Sequence, residues 1–349
     1  MAGSEASTLT IDLGAIAANW RTLAARHPGA PVAGVVKADA YGLGAARVAP
    51  ALHAAGCRHF FTAHLSEALA IRPLLPNAMV AVLNGPLPGT QTDYIENDIT
   101  PVLGSMEDIA LWRAHAGRPA ILHVDTGMNR LGLPMRELPA ANGLTLRYVM
   151  THLISSEDPS DPDNDRQRTL FNAACASFPG IPTSLANSSG IFLGKTFASD
   201  LARPGAALYG INPTPGRPNP MLTVATLRAR ILAIRDVPHG ASVGYNATWR
   251  AARPSRIATA CVGYADGWPR SLSGKGHALF DGTPVPLVGR VSMDLATYDV
   301  TDLPTLRPGD WLELMGAALP PDAIAEQAGT NGYEILTRLG PRYTRVYTA

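Results

Sequence analysis

Eight short apolar runs, separated by stretches of helical periodicity, constrain this chain more than any other feature. They are VAGVVKA (32–38), HFFTAH (59–64), MVAVLN (79–84), ITPVLG (99–104), AILHVD (120–125), LRYVMTHL (146–153), TSLANSS (183–189) and LARPGAALYG (201–210). Runs of this length fit buried parallel strands, and the segments between them supply crossover helices. In residues 161–178, Leu170, Phe171, Ala174, Cys175 and Phe178 share one helical face. The segment SMEDIALWRAHAG offers Ser105 as an N-cap and Gly117 as a stop. Eight strand–helix units predict a (β/α)8 barrel. A doubly wound sheet has the same periodicity and stays open at this point.

A further strand, LTIDL (9–13), and a helix from Gly14 to His27 precede the first unit. Near Met221 the pattern changes. TLRARILAIRDV (226–237) alternates polar and apolar residues, as a half-buried antiparallel strand does. Turn signals follow at Pro238-His239-Gly240, Asp281-Gly282 and Pro308-Gly309-Asp310. Asn331 and Glu334 have capping-box spacing. The expected division is a barrel domain over 9–222 and a mainly-β domain over 223–349, with residues 1–8 packing against the latter.

Lys+Arg total 29 and Asp+Glu 28, so the net charge is +1. That balance gives no footprint for nucleic acid or an anionic membrane. Cys57, Cys175 and Cys261 are far apart and form no CxxC, which supports neither a disulfide framework nor a zinc ribbon. MAGSEASTLTIDL lacks the basic-then-apolar pattern of a secretory signal. No apolar stretch approaches the ~18 residues of a membrane span. The expectation is a cytoplasmic chain without a metal. Only Lys37, Lys195 and Lys275 among the basic residues are lysines. Chemistry that needs a free amine has just these candidates, because arginine stays protonated.

Lys37 closes the first run, in VVKADAYGLG. Catalytic groups of such barrels sit at the C-terminal ends of the strands, and an apolar flank lowers an amine's pKa. A lysine snorkelling at a strand end is the plain alternative. Other strand ends are polar too: DTGMNR (125–130), Thr151-His152, Asn187-Ser188 and Arg203-Pro204-Gly205. Five polar ends in one barrel predict a convergent site. Two decoys drop out. Gly190–Thr196 has three residues between its glycines where a P-loop has four. His53, His59 and His64 do not share a helix face, so they form no metal set.

The motifs VVKADAYGLG, HVDTGMNRLG, MTHL, ANSS, RPGAALYG, SVGYNATW, VGYADGW and VGRVSMD resemble those of alanine racemases, in order and across nearly the whole chain. The resemblance implies a fold-type III pyridoxal 5'-phosphate enzyme. Its N-terminal (β/α)8 barrel and C-terminal β domain would work as a homodimer that interconverts L- and D-alanine, the latter a peptidoglycan precursor. It implies that Lys37 holds the cofactor and is one base. Tyr41, Ser188 and the amides of Gly205 and Ala206 would hold the phosphate. Arg203 would face the pyridine nitrogen, with His152 beside it. Arg130 would hold the substrate carboxylate or a cofactor oxygen. Tyr245 would be the second base, reaching in from the other subunit. Tyr264 would line the entrance, and Met293 and Asp294 would complete the substrate site.

Those residue types suit racemisation. A proton leaves one face of Cα and returns on the other, so two bases on opposite faces are well placed. A tyrosine base must ionise, and an unperturbed phenol titrates near ~10. It therefore needs cationic or hydrogen-bonding neighbours, a role that suits His152 and Arg203. Other readings of the same resemblance are a serine or broad-specificity racemase, and a non-enzymatic cofactor-binding barrel. The last lacks the β domain and its tyrosine. The chain departs from the family at His123, where many members carry a lysine, often carbamylated, seven residues before Arg130. No carbamate is expected here; an anion, a water or a neighbouring side chain would orient Arg130. Ser184 replaces a histidine before the ANS motif. Pro341 stands where a phosphate-binding tyrosine is common, with Tyr343 nearby.

Overall fold

The structure, a computed structural model, describes residues 6–349; residues 1–5 of the segment expected to pack with the β domain lie outside the described residues. It forms two compact units. One is Ile16–Leu222; the other joins the described residues up to Ala15 with Thr223–Ala349.

In the first unit, seven parallel strands follow one another in chain order: Gly34–Val35, His59–Thr62, Met79–Val82, Ile99–Leu103, Ala120–His123, Leu146–Met150 and Thr183–Ser184. Every residue of Met79–Val82, Ile99–Leu103 and Ala120–His123 is buried. Such strands are covered on both faces, which is why they read as continuous apolar runs. The eighth run makes no regular strand, yet it closes the ring. Ala33 N–H donates to Ala202 O (2.8 Å), Val35 N–H to Pro204 O (3.1 Å), and Arg203 N–H to Ala186 O (2.8 Å). Pro204 has no N–H of its own, so the ladder stops there. Closure selects the (β/α)8 barrel over the doubly wound sheet.

The helices form where their signals stand. Ser105 Oγ accepts from Asp108 N–H (3.0 Å) at the head of Met106–Trp112, which ends in a short turn before Gly117. Helix Pro162–Cys175 buries Phe171 and Ala174, with Asp161 as its cap. No helix among the described residues is long and apolar enough to cross a membrane.

The second unit is built on the 13-residue strand Ala225–Val237. Its residues alternate inward and outward at first, as the sequence pattern requires. It pairs antiparallel with Ser7–Asp12, Trp311–Met315 and Ser255–Ala260. Ser255–Ala260 also pairs with Ala296–Asp299, so the sheet curls back on itself through Thr283–Val288 and His277–Phe280. Thr344–Thr348 lies parallel to Ser7–Asp12 at the outer edge. Asn331 Oδ1 accepts from Glu334 N–H (3.0 Å) and caps Gly332–Thr337.

One boundary differs from the sequence reading. The strand expected at residue 9, ahead of the barrel, belongs to this β unit. Leu9 stands opposite Leu227 and Arg345. Ser7, Leu9 and Ile11 turn inward, which is the two-residue period of a sheet with one covered face. The partners lie more than 200 residues away, and local periodicity carries no record of them. Ile11 is fully buried. Replacing it with alanine is expected to cost about 2–5 kcal/mol in urea unfolding. A loss below about 1 kcal/mol would show that the strand is not part of the core.

Candidate active site

Lys37 follows the first barrel strand and opens the turn Lys37–Tyr41. The next four residues, Ala38, Asp39, Ala40 and Tyr41, have φ of 52°, 54°, 55° and 55°. This is a left-handed turn made without glycine. Each such residue costs about 1–2 kcal/mol, so the surroundings must hold it. Within the turn, Ala40 N–H donates to Val36 O (2.9 Å), Gly42 N–H to Ala38 O (2.7 Å) and Gly44 N–H to Asp39 O (2.9 Å). Asp39 Oδ1 accepts from Ala45 N–H (2.7 Å), and Glu67 Oε1 accepts from Ala38 N–H (2.6 Å). Strain of this kind gathers at functional sites. Burial draws the Lys37 amine below its ordinary value; the Arg130 cation adds to the effect, and Glu67 opposes it. Lys195 and Lys275 are exposed. The Gly190–Thr196 segment forms two short 3-10 turns rather than a phosphate loop.

Tyr41 ends the turn, and its ring stacks on Tyr209 at 4.7 Å. Tyr209 Oη in turn donates to Val35 O (2.9 Å). A Cβ on Gly205 would stand 2.3 Å from Tyr41 Oη, so only glycine fits there. Ser188 Oγ accepts from the N–H groups of Gly205 (3.1 Å) and Ala207 (3.2 Å). The Gly205 amide, expected to face a phosphate, is therefore already bonded to Ser188. Ala206 begins the turn Ala206–Tyr209, and its N–H has no acceptor within that turn. Tyr41, Ser188, Gly205 and Ala206 thus form one cup.

Arg203 is buried and donates to Ser184 Oγ and Thr151 O. Ser184, which stands in place of a family histidine, donates its hydroxyl hydrogen bond to Leu201 O (2.6 Å). Burial pulls Arg203 down to about 10, which leaves it charged at neutral pH. His123 pairs in register with Met150, and Met150 with Ser184, so His123 lies on the neighbouring strands to the arginine's anchor. Burial and then Arg203 hold the His123 imidazole down to about 4, with Arg130 adding and Asp125 opposing. His152 is held down to about 3 by burial first, then by Arg203, His123, Lys37 and Arg130. His152 is therefore neutral, which leaves it the hydrogen-bonding rather than the cationic role. The charge at this mouth comes from Arg203 and Arg130. Among the described residues, none of the ion pairs involves Arg203, Arg130 or Lys37. A buried cation without a counter-charge is costly and suits a ligand that brings acceptor atoms.

Two residues of this mouth escaped the sequence reading. Gln167 is fully buried; its Nε2 donates to Thr126 Oγ1 (3.0 Å) and His152 O (3.0 Å), and its Oε1 accepts from Ile154 N–H (2.9 Å). The available signal was its place four residues before Phe171, a polar side chain on the apolar face. Glu67 is the other, and nothing in its exposed-looking context marked it.

In the second unit, Tyr264 opens the turn Tyr264–Asp266. Its N–H donates to Ser292 O (3.0 Å), and Ala265 N–H donates to Met293 O (2.9 Å). Arg342 bridges Asp266 (3.0 Å) and Asp294 (2.8 Å). Tyr264, Met293 and Asp294 are thereby brought together. Tyr245 sits at the tip between Ser242–Val243 and Trp249–Arg250, 67% exposed. Tyr343, near Pro341, is buried inside this unit, and its hydroxyl has no partner there.

The family model described as alanine racemase, N-terminal domain, matches residues 11–213, and that for the C-terminal domain matches 224–347. The chain belongs to the alanine racemase family. It is 58% identical to an alanine racemase of Acidiphilium cryptum, over 97% of this chain and 98% of the relative. The alanine racemase of Bartonella henselae, a structure with covalently bound pyridoxal phosphate, matches at TM-score 0.95 and 42% identity, covering 98% of this chain and 99% of that one. The biosynthetic alanine racemase of Pseudomonas aeruginosa matches at TM-score 0.92 and 33% identity, covering 99% and 100%. Within this family the two-domain plan is shared over nearly the full length.

The buried imidazoles make a pH prediction. The folded pKa of His123 lies below the ordinary ~6.5. Its contribution to stability is therefore full above about pH 6.5 and is lost as the pH falls toward about 4. Urea unfolding of wild type and His123→Asn at several pH values should show the variant losing part of that slope, on the order of 1–3 kcal/mol. Parallel curves would contradict the neutral, buried assignment.

Proposed function

We propose that this chain interconverts L- and D-alanine with pyridoxal 5'-phosphate, as a homodimer whose sites are completed in trans. The observation that carries the reading is a lysine of lowered pKa on a strained turn, which shares the neighbour His152 with the buried Arg203, itself free of ion pairs among the described residues. The fit to the cofactor is specific. The cup of Tyr41, Ser188, Gly205 and Ala206 suits a phosphate, at the last loops of a barrel where phosphates commonly bind. When bound, the cofactor acidifies the Cα proton of alanine.

The chain's own residues do the rest. Lys37, its pKa lowered by burial, would take a proton from one face of Cα or return it. Tyr245 of the partner subunit does the same on the opposite face. Arg203 would face the ring nitrogen of the cofactor; a charged arginine there would disfavour protonation of that nitrogen and so limit side reactions such as transamination. His152, neutral and tied by Gln167, packs beside it. Arg130 pairs with the substrate carboxylate or a cofactor oxygen. Its orientation depends on something other than a carbamate, because His123 has no amine to carry one. Tyr264 lines the entrance, and Met293 and Asp294 of the partner border the substrate.

Exposure of Tyr245 (67%), Met293 (54%) and Tyr264 (40%) supports the trans arrangement. Large apolar side chains left in solvent, with Tyr264 and Met293 adjacent, are what a covered partner surface would use. The three free cysteines support a reducing, cytoplasmic setting.

Two variants test the mechanism. Lys37→Ala is expected to abolish racemisation. Tyr245→Phe is expected to retain the cofactor and lose about 10²–10⁴-fold in rate, mainly in the direction that starts from L-alanine. Polarimetric assays from each enantiomer, with absorbance of bound cofactor, read both. A normal rate for Tyr245→Phe would reject the two-base assignment.

A further inference from the structure

The left-handed turn carries Lys37 at its start and Tyr41 at its end, and its backbone bonds mostly run within itself. The Ala38 N–H leaves the turn and reaches Glu67 Oε1, 2.6 Å away. The other oxygen of the same carboxylate, Oε2, accepts from Ala63 N–H (2.8 Å) and His64 N–H (3.0 Å). Ala63 and His64 follow the second barrel strand, His59–Thr62. Glu67 itself stands in the first turn of helix Leu65–Ile71. One carboxylate therefore bridges the exits of two adjacent strands through three backbone donors.

We propose that Glu67 is a positioning residue for the reaction: it fastens the turn that carries Lys37 and Tyr41 to the neighbouring strand exit. This rests on the reading of Lys37 as the reacting amine.

The chemistry of the three donors explains why the residue is a glutamate. All three partners are N–H groups, so both side-chain oxygens must accept. A glutamine offers one oxygen, and its NH2 would face N–H groups. An aspartate keeps the charge but is one methylene shorter. Charge-assisted bonds of this kind are stronger than neutral ones, and they act here against a backbone that prefers to leave the left-handed region. Misplacing a reacting group by about 1 Å is enough to slow a reaction about 10²-fold.

The test compares wild type with Glu67→Gln and Glu67→Asp, with Lys37→Ala as the control. In the loaded enzyme, Glu67→Gln is expected to lower kcat about tenfold or more, with KM for alanine changing less than about threefold. Hydrogen exchange on the cofactor-free and loaded protein should quicken in the peptide covering 37–42 and stay unchanged across the other barrel strands. Glu67→Asp should lie between wild type and Glu67→Gln in both readouts. Unchanged kcat with unchanged exchange over 37–42 overturns the inference. So does a loss of kcat accompanied by faster exchange across the whole barrel, which marks a merely structural role. If instead Lys37→Ala still racemises alanine, it is the reading of Lys37 that fails, whatever Glu67 does.

Discussion

The hydrogen bonds that join the segment around Ala202 to the first strand close the barrel, and the site depends on that closure. Ala33 and Val35 donate across the seam to Ala202 and Pro204. The seam sets the exit of the first strand beside the segment around Ala202. Lys37 and Tyr41 leave one side of it; Arg203, Gly205 and Ala206 leave the other. The stacking of Tyr41 on Tyr209, and the bond from Tyr209 to Val35 O, repeat the same crossing with side chains. Gly205 then follows from the close approach of the Tyr41 hydroxyl.

Once the seam is closed, electrostatics defines what the mouth can hold. Burial keeps His123 and His152 neutral and leaves Arg203 charged. The same burial, with Arg130, draws down the Lys37 amine. The result is a mouth with fixed positive charge, neutral imidazoles and a lysine whose pKa is lowered. Two carboxylates of the region, Asp39 and Glu67, are engaged with backbone N–H groups. Their role is to hold the strained turn rather than to neutralise the arginines.

Much of this was legible in the sequence, for physical reasons. Buried parallel strands must be apolar on both faces, so all eight runs stood out. Their polar ends pointed to Lys37, Arg130, His152, Ser188 and Arg203. The eighth run lost its regular ladder because Pro204 lacks an N–H. Other features were hidden. Of the four residues Ala38, Asp39, Ala40 and Tyr41, only Asp39 is of a type that tolerates positive φ, so the left-handed turn is imposed by tertiary contacts. The strand Ser7–Asp12 pairs with residues at the far end of the chain, and no local pattern reports a distant partner. The sequence left His152 as either a cation or a hydrogen-bonding neighbour, and burial, with Arg203 next, decides for the neutral form. Gln167 was hidden by assuming that a helix face is apolar throughout.

Of the three lysines, Lys37, on the strained turn at the barrel's mouth, is the one proposed to hold the cofactor. Reductive trapping with borohydride, followed by digestion and mass spectrometry of the three lysine-containing peptides, tests it directly. The account predicts a pyridoxyl label on Lys37 alone, with Lys195 and Lys275 unmodified. A label on either of those lysines, or none on Lys37 in active enzyme, would contradict it.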